Sequence, residues 1–145
     1  MISFWWIRHA PVIGNNDCCY GNNEVDCDVN DKSSFKKLIK ILPQNCDIYT
    51  SHLSRTMKTF DATVKLGYKY KNHFKDSRLE EQNLGSYTGM KYSKLYDLVK
   101  KLDLYDRNWL FKASHIPPGG ESYINLITRV NSFINDLILN NKNTN

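Results

Sequence analysis

The sequence predicts an α/β fold, a three-layer αβα sandwich around a mostly parallel central sheet. Three observations carry this expectation. Short apolar runs at 2–7 and 46–50 have the length of buried strands. Stretches with apolar residues at helical spacing follow them. Gly, Pro and capping hydroxyls punctuate the boundaries between the two.

Ile2 to Ile7 is dominated by apolar and aromatic side chains and reads as a buried first strand, ended by Arg8-His9-Ala10-Pro11. Residues 14–31 are rich in Gly, Asn and Asp and read as a long functional loop. Ser33 or Ser34 caps a helix from Phe35 to about Leu42, which Pro43 stops. Cys46 to Thr50 is a second buried strand. Ser54 caps a helix from Arg55 to Leu66, closed by Gly67, and Tyr68-Lys69-Tyr70 is a short edge strand. Residues 76–90 are irregular. A helix follows from about Tyr92 to Leu102. A last helix runs from Glu121 or Ser122 to about Asn140, with Ile127, Val130, Ile134, Leu137 and Ile138 as its buried stripe. No internal repeat or linker divides the chain, so residues 1–145 read as one domain.

Composition narrows the function classes. At 41% hydrophobic and 24% charged residues the chain is ordinary for a folded protein. No apolar run reaches the roughly 18 residues of a membrane span. The opening lacks the layout of a signal peptide, so a cytoplasmic protein without membrane association is expected. Cys18, Cys19, Cys27 and Cys46 have no zinc spacing and read as free thiols. The net charge of +5 is uneven: residues 1–31 hold one basic and five acidic side chains, and all the remaining excess of Lys and Arg follows. Lysines such as Lys94, Lys100 and Lys101 lie at helical spacing and no aromatic-basic nucleic-acid motif appears, which describes a solvated face and argues against nucleic acid as a partner.

Several side chains point to phosphoryl chemistry. Arg8-His9 sets a fixed cation beside an imidazole nucleophile. Arg55 falls in the first turn of a helix whose amino end carries positive partial charge. Glu80-Glu81 supplies a carboxyl from an irregular segment. Together they suffice for transfer through a phosphohistidine. The imidazole attacks phosphorus, the arginines hold the equatorial oxygens, and a carboxylic acid protonates the leaving alcohol and then activates water. No metal or other cofactor is needed, and the partner is a small phosphorylated metabolite. Each piece alone has a plainer reading, as a surface pair or a helix-start arginine; their order and context carry the argument. His52, His73 and His115 read as surface or packing residues, and Trp109 and Phe111 as core residues rather than a substrate lid.

That order matches a known pattern. Ile7-Arg8-His9-Ala10 resembles the "RHG/RHA" signature of the histidine phosphatase (phosphoglycerate mutase-like) superfamily. Thr50-Ser51-His52-Leu53-Ser54-Arg55-Thr56 resembles its "S-x-L-x-R-A" element, with Thr56 at the Ala. The segment Arg78 to Met90 resembles "R-L-x-E-x-x-x-G-x-W-E-G", with Tyr87 at the Trp and Thr88 at the Glu. Pro117-Pro118-Gly119-Gly120-Glu121-Ser122 with Arg129-Val130 resembles "P-G-G-E-S…R-V". The resemblance implies His9 as nucleophile, Arg8 and Arg55 as phosphate ligands, and Glu81 rather than Glu80 as general acid. Cys19-Tyr20-Gly21 is similar to the "C-Y-G-x-x-D" loop of the α-ribazole phosphatase-like branch, which works in assembling the nucleotide loop of cobalamin. That likeness makes Tyr20 and Gly21 candidate substrate contacts, although Tyr-Gly at a tight bend is an equally good account of the pair. The Pro-Pro-Gly-Gly run reads first as a structural lead into the last helix.

The family pattern also carries a second catalytic histidine, on a strand after that helix. No histidine in residues 1–145 has that context. The expectation is therefore a C-terminally truncated relative, missing the last strand or strands and weak or inactive by itself. A phosphoglycerate mutase-type enzyme is the alternative within the fold, although Arg8-His9-Ala10-Pro11-Val12 does not match the mutase opening. A degenerate, non-catalytic phosphate-binding paralogue is the alternative from another class.

Overall fold

A computed structural model describes residues 2–107 and 110–142. The chain is α/β and forms two compact units, one of Met1–Gly14 with Glu24–Glu80, the other of Asn15–Asn23 with Glu81–Asn145. Trp109 lies outside the described residues.

The first unit is built on a parallel βαβ motif. β1 (Ile48–Thr50) pairs with β2 (His73–Lys75) in the register Ile48–His73, Tyr49–Phe74 and Thr50–Lys75. The crossover is α2 (Ser54–Lys65), which packs on β1 and on α1 (Lys32–Ile41). Tyr49 and Phe74 stack across the pair with ring centroids 5.1 Å apart. Ala10, Cys27, Phe35 and Ala62 form the buried core, with Val29 and Leu66 against it. The cap of α1 is Asp31 rather than either serine, its carboxylate accepting from the Ser34 amide at 3.0 Å.

Two strand expectations change. Residues 2–7 form no ladder with any described residue, and Trp5 and Trp6 are 56% and 62% exposed. Apolar composition marks a segment able to enter a sheet; a strand exists only where a neighbour takes up its N–H and C=O groups. The second strand of the pair is 73–75, not 68–70. Residues 69–72 already run beside 45–48, through Asn45 N–H to Lys69 O (3.0 Å) and Ile48 N–H to Asn72 O (2.8 Å). Regular pairing begins only at His73.

The second unit contains α3 (Tyr92–Lys101), α4 (Tyr123–Lys142) and the loop 15–23. Its core is Cys19, Leu84, Tyr87, Leu95, Val99 and Phe111, so Phe111 is a packing residue. On α4 the deeply buried side chain is Phe133, while Ile127 is 43% exposed. All four cysteines are free thiols.

Candidate active site

In the first unit, hydroxyls tie the Arg8-His9 stretch to α2. The Ala10 amide donates to Thr59 Oγ1 at 2.8 Å, and that hydroxyl donates to the Arg55 carbonyl at 2.7 Å. Arg8 is exposed, His9 half-buried and Arg55 fully buried. The His9 ring has its Nδ1 2.7 Å from the Ala10 carbonyl oxygen. A carbonyl only accepts, so Nδ1 carries a proton, and in the neutral ring Nε2 holds the lone pair.

Arg55 is placed by the turn between β1 and α2. Ser51, 2% exposed, bonds its hydroxyl to Thr56 Oγ1 at 3.0 Å, and Thr56 Oγ1 donates on to the Leu53 carbonyl at 2.8 Å. The turn is closed by side-chain hydroxyls, including Thr56 where the family pattern carries Ala. Ser54 is not the helix cap; Leu53 holds that position. Both the amide and the hydroxyl of Ser54 donate to the Glu24 carboxylate, which places an anion at the α2 amino end. The Ser54 hydroxyl holds the Glu24 carboxyl below the usual range against the opposing effect of burial, with smaller help from the Ser54 amide and nearby Arg55. Sequence reading did not assign Glu24 this position. The available signal was a carboxylate in a long loop, with a serine and an arginine opening a later helix.

Arg78 and Glu80 also lie in the first unit. Arg78 grips Asp76 through Nη2 to Oδ2 at 2.7 Å and Nε to Oδ1 at 3.0 Å, and lowers its pKa. His52 lies 3.6 Å from Glu80, and His73 bonds Thr50 Oγ1 at 2.9 Å, in keeping with packing and surface roles.

The second unit holds Glu81, Tyr20 and Gly21. Glu81 is exposed, and its Oε1 accepts from the Gln82 amide at 3.0 Å. Gln82 itself is only 2% exposed. The Cys19-Tyr20-Gly21 loop lies along the same segment: Cys19 N–H donates to Met90 O at 2.8 Å, and Gly89 N–H to Cys19 O at 2.7 Å. A side chain at Gly21 would come within 3.1 Å of the Gln82 carbonyl. Burial pushes the Cys19 thiol pKa up, opposed by a Gly21 backbone hydrogen bond and reinforced by the charge of Glu81. Tyr87, at the family's Trp position, is 3% exposed and bonds His115 Nε2 at 2.9 Å.

The Pro117–Ser122 segment does more than lead into α4. It lies against Asn83–Gly85: Ser86 N–H donates to Pro118 O at 2.9 Å and Glu121 N–H to Asn83 O at 2.8 Å. Among the described residues no cluster of three or more His, Cys, Asp or Glu side chains could hold a metal ion.

Comparison with known proteins gives a consistent result. The sequence profile of the histidine phosphatase superfamily (branch 1) matches residues 4–145. No curated protein matches the sequence. Solved structures share the fold. Bacillus stearothermophilus YhfR superposes with a TM-score of 0.70 at 19% identity, covering 90% of this chain and 64% of its own. A mycobacterial glucosyl-3-phosphoglycerate phosphatase gives 0.67 at 16%, covering 91% and 61%. An Escherichia coli protein described as a candidate α-ribazole-5′-P phosphatase gives 0.67 at 19%, covering 90% and 64%. The chain spans less than two thirds of the length of each of these three structures. With an α/β fold shared across these neighbours and a family profile that runs from Phe4 to the last residue, the chain belongs to the histidine phosphatase superfamily, branch 1.

Proposed function

We propose that the chain carries the site of a phosphomonoester hydrolase that works through a phosphohistidine at His9. The observation that carries this reading is the Nδ1 hydrogen bond to the Ala10 carbonyl, 2.7 Å long, which leaves Nε2 as the nucleophilic nitrogen. In this reading Nε2 attacks phosphorus, the P–O bond to the alcohol breaks, and Arg8 and Arg55 hold the non-bridging oxygens. Glu81 gives its proton to the leaving oxygen. Its carboxylate then takes a proton from water as the water oxygen attacks phosphorus. The N–P bond breaks, and inorganic phosphate and free His9 are restored. No metal or other cofactor enters these steps.

The substrate is a small phosphorylated metabolite. The Cys19-Tyr20-Gly21 loop and the E. coli neighbour favour α-ribazole 5′-phosphate, handled in the cytoplasm during cobalamin assembly, with Tyr20 and Gly21 as substrate contacts. The mycobacterial neighbour makes a phosphoglycerate ester the second candidate. The test is hydrolysis of an aryl phosphate by the wild type and by His9→Ala, followed by a panel of α-ribazole phosphate, phosphoglycerates, sugar phosphates and nucleotides. We expect weak turnover that His9→Ala abolishes. Equal rates for the two proteins would sink the reading.

A further inference from the structure

We propose that Arg129 and Glu121 are positioning residues for Glu81: their ion pair fixes the main chain of Glu81–Asn83 and so aims the acid. The inference rests on the reading of Glu81 as general acid given above.

Residues 81–84 have no regular secondary structure, yet four hydrogen bonds tie three of them to Arg129 and Glu121. Arg129 Nη2 donates to the Glu81 carbonyl at 3.2 Å. The Asn83 amide donates to Glu121 Oε1 at 3.0 Å, and the Glu121 amide returns a bond to the Asn83 carbonyl at 2.8 Å. Gln82 Nε2 donates to the Glu121 carbonyl at 2.9 Å. The pair itself is two-pronged, with Arg129 Nη2 to Glu121 Oε1 at 2.7 Å and Nε to Oε2 at 3.1 Å. Glu121 Oε1 therefore accepts from Arg129 and from Asn83 at once. Burial alone would raise the Glu121 carboxyl pKa, but Arg129 and the Asn83 amide outweigh it, so the carboxyl stays charged.

The two partners are only 21% and 20% exposed. Ion pairs at such depth are weak sources of net stability, because desolvation offsets much of the attraction. Their geometric effect is larger. An exposed carboxyl on an irregular segment samples many positions, and a misplacement of about 1 Å costs on the order of 10²-fold in rate. Here the exposed side chain of Glu81 sits on a main chain held at its own carbonyl and at Asn83, with the Gln82 side chain between them tied to the Glu121 carbonyl. Glycine allows the approach: a side chain at Gly120 would meet the Asn83 carbonyl at 2.5 Å.

A phosphate whose leaving group is a weak base departs without a proton, whereas an alcohol of high pKa needs one. The test is kcat/KM for 4-nitrophenyl phosphate, phenyl phosphate and glycerol phosphate in the wild type, Glu81→Gln, Arg129→Met and Arg129→Lys. For Arg129→Met we expect a loss of roughly 10²-fold on glycerol phosphate and under about 3-fold on 4-nitrophenyl phosphate. Glu81→Gln should show the same slope, more steeply. Arg129→Lys keeps the charge but not the fork, and should fall between wild type and Met; it also serves if the Met variant does not fold. An equal loss on all three esters in both Arg129 variants would mean a purely structural role and overturn the proposal. A slope in Glu81→Gln without one at Arg129 overturns it too, while leaving Glu81 as the acid. If Glu81→Gln shows no slope, or the wild type turns over none of the three, the underlying reading fails and takes this inference with it.

Discussion

Gly85 shows how closely single residues are constrained around the candidate acid. Its φ is +48°, and a side chain there would collide with the Pro118 carbonyl oxygen, which accepts the Ser86 amide. Gly67 also has positive φ, +101°, but open space around it. We expect Gly85→Ala to destabilise the fold by about 3 kcal/mol, combining overpacking with left-handed strain. Gly67→Ala should cost only about 1 kcal/mol. Urea midpoints measure both; equal shifts would contradict the contact. Some of this was legible in the residues. Gly85, Gly120 and Glu121 stand out as motif positions, whereas the close passage of 83–85 against 117–121 is a tertiary fact that no spacing encodes. Glu24 at the amino end of α2 left only a faint signal, a carboxylate in a long loop, and the hydroxyl chain through Thr59 was invisible for the same reason.

The helices follow the sequence most closely, because their periodicity is local to each segment, even where the capping residue differs. α2 begins at Ser54 and is spent by Gly67, and α3 spans nearly the predicted range. α4 starts one or two residues later than expected because Ser122 is its cap, with Asn125 as the reciprocal partner. The Asn125 amide donates to Ser122 Oγ at 3.1 Å, and the Ser122 amide donates to Asn125 Oδ1 at 3.1 Å. This is a capping box with Asn in place of the usual acid or Gln. Ser122→Ala should lower stability by about 1 kcal/mol, read as a drop in Tm of about 4 °C or less. No change would show that the cap is redundant. Strands were harder to read, since a strand's partner lies elsewhere in the chain. The 2–7 run and the shift from 68–70 to 73–75 both reflect that dependence.

At the scale of the molecule, two consequences can be measured. Trp5 and Trp6 contribute little to the fold in which they stand exposed, so Trp5→Ser with Trp6→Ser should change the unfolding free energy by under about 0.5 kcal/mol each. A large loss would mean that these side chains are buried in solution. His73 and His115 are both held below the ordinary histidine value, chiefly by burial, with Lys75 adding to the effect at His73. The unfolded chain then binds more protons between the folded and unfolded pKa values. Their contribution is full above the unfolded value of 6.5 and is lost as pH falls through the lower folded values. The urea midpoint should therefore drop between about pH 7.5 and about pH 5, before the carboxylates protonate; a flat profile would contradict the burial of both rings.

The proposed function turns on one claim: His9 accepts a phosphoryl group. Rapid quenching during turnover of an aryl phosphate, followed by peptide mass spectrometry, tests it most directly. The account predicts an acid-labile, base-stable phosphoryl group on the peptide bearing His9, absent from His9→Ala. Turnover with no label on His9, or with the same label in His9→Ala, would contradict it.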